Sequence, residues 1–245
     1  MRIQEEGESV KLGIMQPYFL PYIGYWQLLN AVDQYVIYDD VNFINRGWIN
    51  RNRILINGKP AYFNLPVLGA SQNKLIREIK VNPDKKLMNK NLKTIELAYK
   101  KAPYFPEVFP EVKRIMENEE ESLSRFILNS IKIICSYLEI HTELLVSSSL
   151  KKNNALKGQD KILEICALLG ATEYYNAVGG QELYSYGKFA ERGIHLCFLK
   201  TGCIEYAQFN NEFQQNLSIL DVMMFNSVST IKEMLGKYTL ITGER

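Results

Sequence analysis

The sequence predicts an α/β fold with a parallel, Rossmann-like sheet core. An apolar run at residues 11–15 and a β-branched, aromatic run at 34–41 are typical of buried strands, and 24–31 is typical of a short helix. A strand, a helix and a second strand within about 30 residues form a βαβ unit. The two strands should therefore be parallel neighbours. Strand and helix patterns alternate again over 142–205, which indicates that both parts share one sheet.

Two segments interrupt this predicted core. The first is a hairpin excursion at 46–82, in which Asn57-Gly58 favours positive φ at a turn between alternating flanks. The run at 75–81 is expected to be a further strand of the same excursion. The second is a helical segment at 85–140. The insertions should therefore lie beside the sheet rather than extend it.

Within the helical segment, one predicted helix ends before Pro103 and a second covers 106–116. The clearest helix is expected to start at Asn118, a favoured N-cap residue followed by three glutamates at 119–121. These glutamates are interpreted as a helix cap, not as an acidic binding patch. The later predicted elements are a strand and loop at 142–150, a helix at 159–170, a strand within 171–180, a helix at 181–193, a strand at 194–200, and helices after Ser218 and at 230–238.

Composition and charge exclude several classes of protein. The chain has 245 residues, 47% of them hydrophobic and 23% charged, as in ordinary globular proteins, with a net charge of +2. Such a balance argues against nucleic acid as a partner held by bulk charge. No apolar run reaches the roughly 18 residues of a membrane-spanning helix. The polar, acidic N-terminus lacks the profile of a signal peptide, so the expected location is the cytoplasm.

The cysteines and histidines form no recognisable metal or catalytic pattern. No two cysteines are spaced as CxxC, and Cys135 and Cys166 fall in apolar helical patterns, so all four cysteines are interpreted as reduced thiols. His141 lies where a helix ends, and His195 alternates with apolar residues in a strand. Both histidines are expected to be structural, and no metal site is expected.

The turn after the first strand is the first candidate binding segment. Ligands of parallel sheets bind beyond the carboxyl ends of strands, near helix N-termini. Gln16, Tyr18, Tyr22, Gly24 and Tyr25 occupy that position, and Gly24 permits close approach of a ligand to the backbone. The alternative interpretation is a rigid turn packed with aromatic side chains.

The second strand ends in Asp39-Asp40, at the same predicted edge of the sheet. A carboxylate there could bind a metal, a ribose hydroxyl or an amine, or simply cap a turn. A loop of nine residues follows, with three arginines, a tryptophan and two asparagines, one on either side of Arg51. Arginine forks bind phosphate or carboxylate and tryptophan stacks on bases or sugars, so this loop is predicted to bind a ligand, although it could be a solvated basic loop. Its candidate residues are Trp48, Asn50, Arg51 and Asn52.

Two further candidate segments lie in the second half of the chain. Lys157 precedes a predicted helix, where its ammonium could meet a phosphate or carboxylate. A predicted strand ends at Tyr175, and Gly179-Gly180 then lead towards Tyr184. Two glycines alone are a weak phosphate-loop signal, because the GxGxxG and Walker patterns are both absent. An ordinary lysine-rich loop and an ordinary turn are the alternatives.

The chain resembles the WbqC-like protein family. The resemblance lies in "IMQPYFLPYIGYWQLLNAVDQYVIYDDVNF", "WINRNRI", "GATEYYNAVGGQELY" and "YAQFNNEFQQNLSILDVMMFN". It implies one domain over 11–228, with an α/β core at 11–45 and 142–205, an extension at 1–10, and a C-terminal helix and tail at 229–245. The residues shared with the family pattern are Gln16, Pro17, Tyr22, Gly24, Tyr25, Asp39, Asn50, Arg51, Asn52 and the segment 175–184.

A weaker similarity concerns nucleotidylyltransferase-type proteins, including pantothenate synthetase. In those proteins the first turn carries H-x-G-H and binds ATP, whereas here Tyr22 and Tyr25 occupy the two histidine positions. A neutral phenol steadies a phosphate less well than a histidine. Either ATP chemistry is lost and only the binding cleft survives, or Arg51 and Lys157 replace the missing positive charge and ATP is a possible cofactor.

These resemblances imply an enzyme of surface-polysaccharide (O-antigen) biosynthesis. It would be a transferase or amide-forming ligase that joins glycine or another small acyl group to an amino sugar on a nucleotide carrier. In this hypothesis Arg51 and Lys157 hold phosphates and Asp39 or Asp40 orients the amine. Tyr22, Tyr25 and Trp48 contact the sugar or base. The alternative hypothesis is a non-catalytic nucleotide-sugar binding protein, because no nucleophile–base pair is apparent.

Overall fold

The structure is a computed structural model that describes residues 9–210 and 212–243, and it is a mixed α/β protein. The described strands are β1 (Lys11–Met15), β2 (Gln34–Ile37), β3 (Arg51–Ile56), β4 (Lys59–Asn64), β5 (Val67–Leu68), β6 (Lys80–Val81), β7 (Glu143–Val146), β8 (Glu173–Ala177), β9 (His195–Thr201) and β10 (Tyr238–Thr242). The described α-helices are α1 (Ile23–Asn30), α2 (Lys85–Tyr99), α3 (Phe105–Met116), α4 (Leu123–Leu138), α5 (Gly158–Leu168), α6 (Tyr186–Ala190), α7 (Ile219–Phe225) and α8 (Val228–Leu235).

Six of the described strands form a central, mostly parallel sheet in the order β10-β9-β8-β1-β2-β7. The strands from β9 to β7 in this order run parallel, and β10 is antiparallel to β9. The chain builds outward from β1 to β2 and β7, then returns to add β8 and β9 on the other side of β1. The strand order therefore reverses between β1 and β8, the point at which open α/β sheets bind ligands.

The predicted βαβ unit is confirmed. β1 and β2 are parallel neighbours, with Gly13 opposite Tyr35, and α1 joins them. The second strand ends at Ile37 rather than at residue 41, because the Asp39 N–H folds back onto the Ile37 carbonyl at 3.1 Å. The unit places the end of β1 and the start of α1 together at one edge of the sheet.

The sheet is covered on both faces because its side chains alternate. On one face, Leu12, Val36 and Tyr174 pack in a cluster with α5 and α6. On the other face, Tyr35 and Tyr175 join the larger cluster with α1, α4, α7 and α8. The inserted hairpin and helices pack into this larger cluster, so the molecule has one dominant core and one smaller core.

The predicted hairpin turn is confirmed, but the strand predicted at 75–81 is largely wrong. β3 and β4 pair around Asn57 and Gly58, whose φ values are +51° and +75°. Beyond the hairpin, Ile76–Glu78 form a 3₁₀ turn, and strand pairing is limited to β6 and an isolated bridge between Leu75 and Asn42. A strand would send Ile76 and Ile79 to opposite faces, whereas the turn buries both side chains completely.

The predicted helix start at Asn118 is also wrong, because α4 begins at Leu123 after the N-cap Ser122. The Asn118 side chain accepts a hydrogen bond from the Glu120 N–H at 3.1 Å, which forms a local turn instead of a helix. Glu121 pairs with the exposed Lys80 at 2.9 Å. The charged run therefore belongs to a surface turn and not to a helix cap.

The helix predicted at 181–193 divides into two pieces, a 3₁₀ segment at Val178–Leu183 and the short α6. Tyr184 interrupts it, because its ring packs edge-on against Tyr174 and its hydroxyl accepts a hydrogen bond from Asn176 at 3.2 Å. β10 is a strand that the sequence patterns did not predict. The predicted N-terminal extension lies outside the described residues, except for its last two positions.

Candidate functional site

A cavity of about 340 Å³ opens at the carboxyl ends of β1 and β8, where the strand order reverses. Met15 ends β1 and Ala177 ends β8, and both line the cavity. Its position therefore matches the ligand crevice of open α/β sheets. Six of the sequence-predicted binding residues line it together: Gln16, Tyr18, Tyr22, Gly24, Tyr25 and Trp48.

Hydrogen bonds to neighbouring segments fix the loop that forms one wall of this cavity. The Phe19 N–H donates to the Ile49 carbonyl at 2.9 Å. The Leu20 carbonyl accepts from the Ser218 hydroxyl at 2.8 Å and from the buried Asn52 carboxamide. Pro17 also restricts the backbone of the loop. The wall is thus preformed, and Asn52 holds the wall rather than lining the cavity.

Gly24 allows a close approach that no other residue permits. A Cβ at Gly24 would lie 2.5 Å from a ring carbon of Tyr22 and 2.6 Å from the Thr201 hydroxyl oxygen. The backbone N–H groups of the first turn of α1 lie at this edge, where they favour an anionic partner. A glycine is therefore required by the packing of Tyr22 and Thr201 around the start of α1.

An aromatic and cationic rim flanks the cavity. The Trp48 ring lies 6.1 Å from the ring of Tyr18 and 6.3 Å from the ring of Tyr62, and 41% of Trp48 is exposed. The Arg51 guanidinium lies 4.8 Å from the Tyr62 ring centroid, and the Arg53 guanidinium lies 5.7 Å from that of Trp48. These distances permit cation–π attraction, which orients both arginines at the rim.

Both arginines keep donors available for a ligand. Arg51 donates from Nε to the Gly47 carbonyl at 2.8 Å and from one terminal nitrogen to the Arg46 carbonyl. Arg53 donates to the Asn216 carbonyl at 3.4 Å, and its buried Nε has no hydrogen-bond partner among the described residues. Because a guanidinium has five N–H donors, each arginine can still bind a phosphate or a carboxylate. Arg53 was not singled out by the sequence analysis, although it belongs to the same basic run, which the structure places at the start of β3 rather than in a loop.

The tyrosines that line the cavity are neutral phenols. Burial is the main cause that raises the pKa of Tyr18, Tyr22 and Tyr25. For Tyr18, the neighbouring Tyr22 raises the pKa further, whereas Arg53 and Arg51 lower it by less than burial raises it. The Tyr25 hydroxyl lies 3.4 Å from the Gln16 carbonyl, to which it donates. These residues can therefore offer hydrogen bonds but no charge, and the positive charge near the cavity comes from the arginines.

Asp39 and Asp40 lie at the same edge of the sheet but outside the residues that line the cavity. Asp39 accepts from the backbone N–H and the hydroxyl of Ser148 at 3.0 and 2.8 Å. Asp40 is almost fully buried between Lys152 and Lys161, and its carboxylate lies 2.8 Å from each ammonium. Both carboxylates thus connect the end of β2 to the segment that follows β7.

The pKa of Asp40 reflects this cluster. Burial would raise the pKa, but the ammonium groups of Lys152 and Lys161, together with the Ser147 hydroxyl, outweigh burial and lower the pKa to about 2. The lysines were not predicted, although Lys161 lies four residues before Ile165 on the buried face of α5. Lys157, which was predicted, is the exposed residue that precedes α5.

The remaining predicted residues lie away from the cavity lining. The Asn50 carboxamide donates to the Leu65 carbonyl at 2.9 Å, and the Tyr175 hydroxyl donates to Glu173 at 3.1 Å. Tyr184 packs on the opposite face of the sheet in the smaller core. A Cβ at Gly180 would lie 3.0 Å from the Asn176 side-chain oxygen, and a Cβ at Gly179 would meet nothing within 4 Å. The binding roles of these residues stay predictions.

A second hollow of about 430 Å³ adjoins the first cavity, and its residues were not singled out individually by the sequence analysis. Ile23 lines it, whereas the flanking Tyr22 and Gly24 line the first cavity, so the start of α1 forms the wall between the two spaces. The segment after β9 supplies most of the second lining, including Glu205 and Glu212. The segment is irregular and gave no periodic signal, although part of it belongs to the stretch 206–226 that carries the family resemblance.

A buried hydrogen-bond network supports this second hollow. The Asp221 carboxylate accepts from the Tyr99 hydroxyl at 2.8 Å, the Tyr206 hydroxyl at 2.7 Å and the Gln208 amide at 2.6 Å. Burial raises the pKa of Asp221, and these three donors oppose the increase. The Tyr99 hydroxyl also accepts from the Leu55 N–H at 2.9 Å. The network therefore joins α2, β3 and α7 to the lining segment.

Comparison with known proteins agrees with the resemblance in the sequence. The model of the WbqC-like protein family matches residues 16–233. "Uncharacterized protein Rv1507c" of Mycobacterium tuberculosis is 28% identical over 219 residues, which cover 88% of this chain and 93% of that protein. No solved structure matches the chain significantly. None of the described helices combines the length and hydropathy needed to cross a membrane. Since the family match extends over most of the 245 residues, the chain belongs to the WbqC-like protein family.

Proposed function

We propose that this protein is a transferase of surface-polysaccharide (O-antigen) assembly. It would join glycine, or another small acyl or aminoacyl group, to the amino group of a nucleotide-linked amino sugar. The observation that supports this proposal most is the pair of adjoining hollows at the carboxyl edge of the sheet, because a transfer reaction needs two substrates side by side. The association of the family with O-antigen biosynthesis supports the setting.

The first cavity suits the nucleotide part of the acceptor. When only the strands of the central sheet are counted along the chain, their order is 3-2-1-4-5-6, as in Rossmann-like sheets, except that the last strand, β10, is antiparallel. This order supports a nucleotide at the switch point. Arg51 and Arg53 would bind the phosphates, and the exposed face of Trp48 would stack on the base or sugar. The N-terminus of α1 adds a favourable dipole for negative charge.

The second hollow suits an aminoacyl donor. Glu205 and Glu212 supply two carboxylates to its lining, and a carboxylate attracts the ammonium group of a glycyl donor. The sugar amine would reach the donor at the place where Tyr22 and Gly24 separate the two spaces. Donor and acceptor would therefore meet at the start of α1, where Tyr22 offers a neutral hydroxyl to an oxygen that becomes negative in the transition state.

The proposed reaction is acyl transfer from an activated donor. The amine nitrogen attacks the carbonyl carbon, a C–N bond forms, and the bond from that carbon to the leaving group breaks. The nitrogen gives up one proton, which a carboxylate of the second hollow or solvent receives. The residues around the cavity act by positioning and by fixed dipoles, so an activated donor removes the need for a protein nucleophile.

ATP activation fits the residues of the cavity poorly. Tyr22 and Tyr25 replace the phosphate-binding histidines of nucleotidylyltransferase-type proteins and are neutral. Asp39 and Asp40 are engaged by Ser148 and by two lysines, so the proposal does not require the catalytic roles that the sequence predicted for them. The proposal likewise requires no catalytic role for Lys157, which is exposed and is not among the described residues that line the cavity.

A turnover assay tests the proposal. The protein is incubated with UDP- or dTDP-linked amino sugars and with activated glycyl donors, and mass spectrometry is used to detect the N-acylated nucleotide sugar. The proposal predicts product with wild type, strongly reduced product with Trp48→Ala, and unchanged product with the exposed control Arg125→Gln. Binding of the nucleotide sugar without any product would instead identify a non-catalytic binding protein.

A further inference from the structure

Three side chains that commonly bind metals lie together on β8 and β9, apart from both hollows. Glu173 and His195 are the first residues of their strands and are direct partners in the parallel pairing. Cys197 follows His195 by two positions, so its side chain points to the same face of the sheet. The strand register alone therefore brings a carboxylate, an imidazole and a thiol to one place.

The spacing of these groups fits a single ion. Their ligand atoms all lie within 4.8 Å of one another. The Cys197 sulfur lies 3.5 Å from Nδ1 of His195. A tetrahedral zinc centre with ordinary Zn–S and Zn–N bonds separates its sulfur and nitrogen ligands by about 3.5 Å. The pair therefore already has the separation of two zinc ligands, and the carboxylate completes a third corner.

Among the described residues, the imidazole of His195 has a partner at only one of its two nitrogens. Its Nε2 is buried and has no hydrogen-bond partner among the described residues. Because Nδ1 is the nitrogen that faces the Cys197 sulfur, Nδ1 would bind the ion and Nε2 would carry the ring proton. Cys197 is 1% exposed, whereas Glu173 and His195 are half-buried, so an ion at this position would lie at the edge of the core.

Neighbouring hydroxyl groups hold the carboxylate of Glu173 in place. The Ser9 hydroxyl donates to one oxygen at 3.0 Å, and the Tyr175 hydroxyl donates to the other at 3.1 Å. A carboxylate accepts about four hydrogen bonds, so both oxygens can still coordinate a cation. Lys11 is the register partner of Glu173 on β1, but no ion pair joins them in the described part of the chain. Hydrogen bonds such as those from Ser9 and Tyr175 to the carboxylate of Glu173 are typical of metal ligands.

We propose that Glu173, His195 and Cys197 bind one divalent transition-metal ion. Sulfur, imidazole and carboxylate ligands favour Zn²⁺, and three protein ligands leave a fourth position for water or another small ligand. The sequence analysis expected no metal site because it considered each cysteine and histidine alone. The pairing of β8 and β9 brings the three side chains together in space. The site is independent of the proposed transferase function.

Cobalt titration tests this proposal directly. The tag-free protein carries Cys203→Ser, which removes the exposed thiol, and Co²⁺ is added while the absorption spectrum is recorded. We expect one equivalent to bind, with a thiolate-to-cobalt charge-transfer band and the intense visible bands of tetrahedral cobalt. Added Zn²⁺ should abolish both and should raise the melting temperature of the protein.

Variants separate this site from adventitious binding. Cys197→Ala should lose the charge-transfer band, and His195→Ala and Glu173→Gln should each weaken binding by about tenfold or more. His141→Ala, on the other available histidine, should bind like the parent, and circular dichroism verifies that each variant is folded. Absence of the band in the parent protein, or its persistence in folded Cys197→Ala, would overturn the proposal.

Discussion

Gly24 shows how a single residue shapes both hollows. Its missing side chain lets Tyr22 and Thr201 approach the same backbone position, and this contact forms the wall between the two spaces. Sequence analysis identified Gly24 as a point of close approach and attributed it to a ligand. The packing against Thr201 gives a second reason for glycine, and that contact could not be read from the sequence because Thr201 is 177 positions away.

We predict that Gly24→Ala destabilises the protein by about 1–3 kcal/mol, the usual cost of overpacking. The added methyl group would overlap a ring carbon of Tyr22 at 2.5 Å. The matched control is Gly179→Ala, where a Cβ meets no atom within 4 Å. Urea unfolding measures both variants. Equal midpoints for the two would mean that the close approach at Gly24 carries no energetic weight.

The environment of Asp40 leads to a testable prediction of how stability depends on pH. Its folded pKa of about 2 lies below the value of about 3.9 in an unfolded chain. A carboxyl group with a lowered pKa stabilises the folded state fully above the unfolded pKa, and this contribution is lost as the pH falls through the folded value. The ion cluster should therefore stabilise the protein fully at neutral pH and lose this effect from about pH 4 to about pH 2.

Asp40→Asn tests the cluster because it leaves the ammonium groups of Lys152 and Lys161 buried without a counter-ion. We predict a loss of about 3–5 kcal/mol at neutral pH, as for other broken buried pairs. The difference from wild type should shrink as the pH approaches about 2. Urea unfolding over this pH range measures it, with the exposed Asp160→Asn as control. A difference that stays constant with pH would contradict the assignment.

At the scale of elements, local patterns predicted what neighbouring residues determine. The β1–α1–β2 unit and the Asn57-Gly58 turn follow from periodicity and turn chemistry over short distances. The failures at 75–81, 118–122 and 181–193 arise where a contact distant in sequence competes with local preference. At 118–122, for example, the Glu121 carbonyl accepts a hydrogen bond from the Val81 N–H at 2.8 Å, and the Leu123 N–H donates to the Ile79 carbonyl at 3.0 Å. β10 was missed for the same reason, because it gains its hydrogen bonds from β9.

The Asp221 network joins several of these elements and predicts a measurable coupling. Tyr99→Phe removes the hydroxyl that donates to Asp221 and accepts from the Leu55 N–H, so two buried polar groups lose a partner. We expect a loss of about 1–3 kcal/mol in unfolding free energy, measured with urea. Tyr104→Phe is the control, because no described hydrogen bond of Tyr104 uses its hydroxyl. Equal stability of the two variants would show that the network contributes little.

At the scale of the whole molecule, topology decides which predicted residues meet. The parallel sheet was expected, and with it the gathering of polar loops at one edge. The first loop and Trp48 do meet there, since the end of β1 lies at the point where the strand order reverses. Asp40 and Tyr184 do not join them. Their places depend on the position of each strand in the sheet and on the face to which each side chain points, and the sequence patterns predicted neither. The second hollow depends on an irregular segment that has no periodic signal.

The central claim is that the cavity between the ends of β1 and β8 binds a nucleotide-linked sugar through its arginine and aromatic rim. Isothermal titration calorimetry with UDP-linked amino sugars tests it most directly, using wild type, Arg51→Gln, Arg53→Gln and the exposed control Arg125→Gln. Loss of a charge-assisted hydrogen bond of about 1.5–3 kcal/mol should weaken binding by about 10- to 100-fold in the two rim variants and leave the control unchanged. Undetectable binding by wild type, or equal affinity in all four proteins, would contradict the claim.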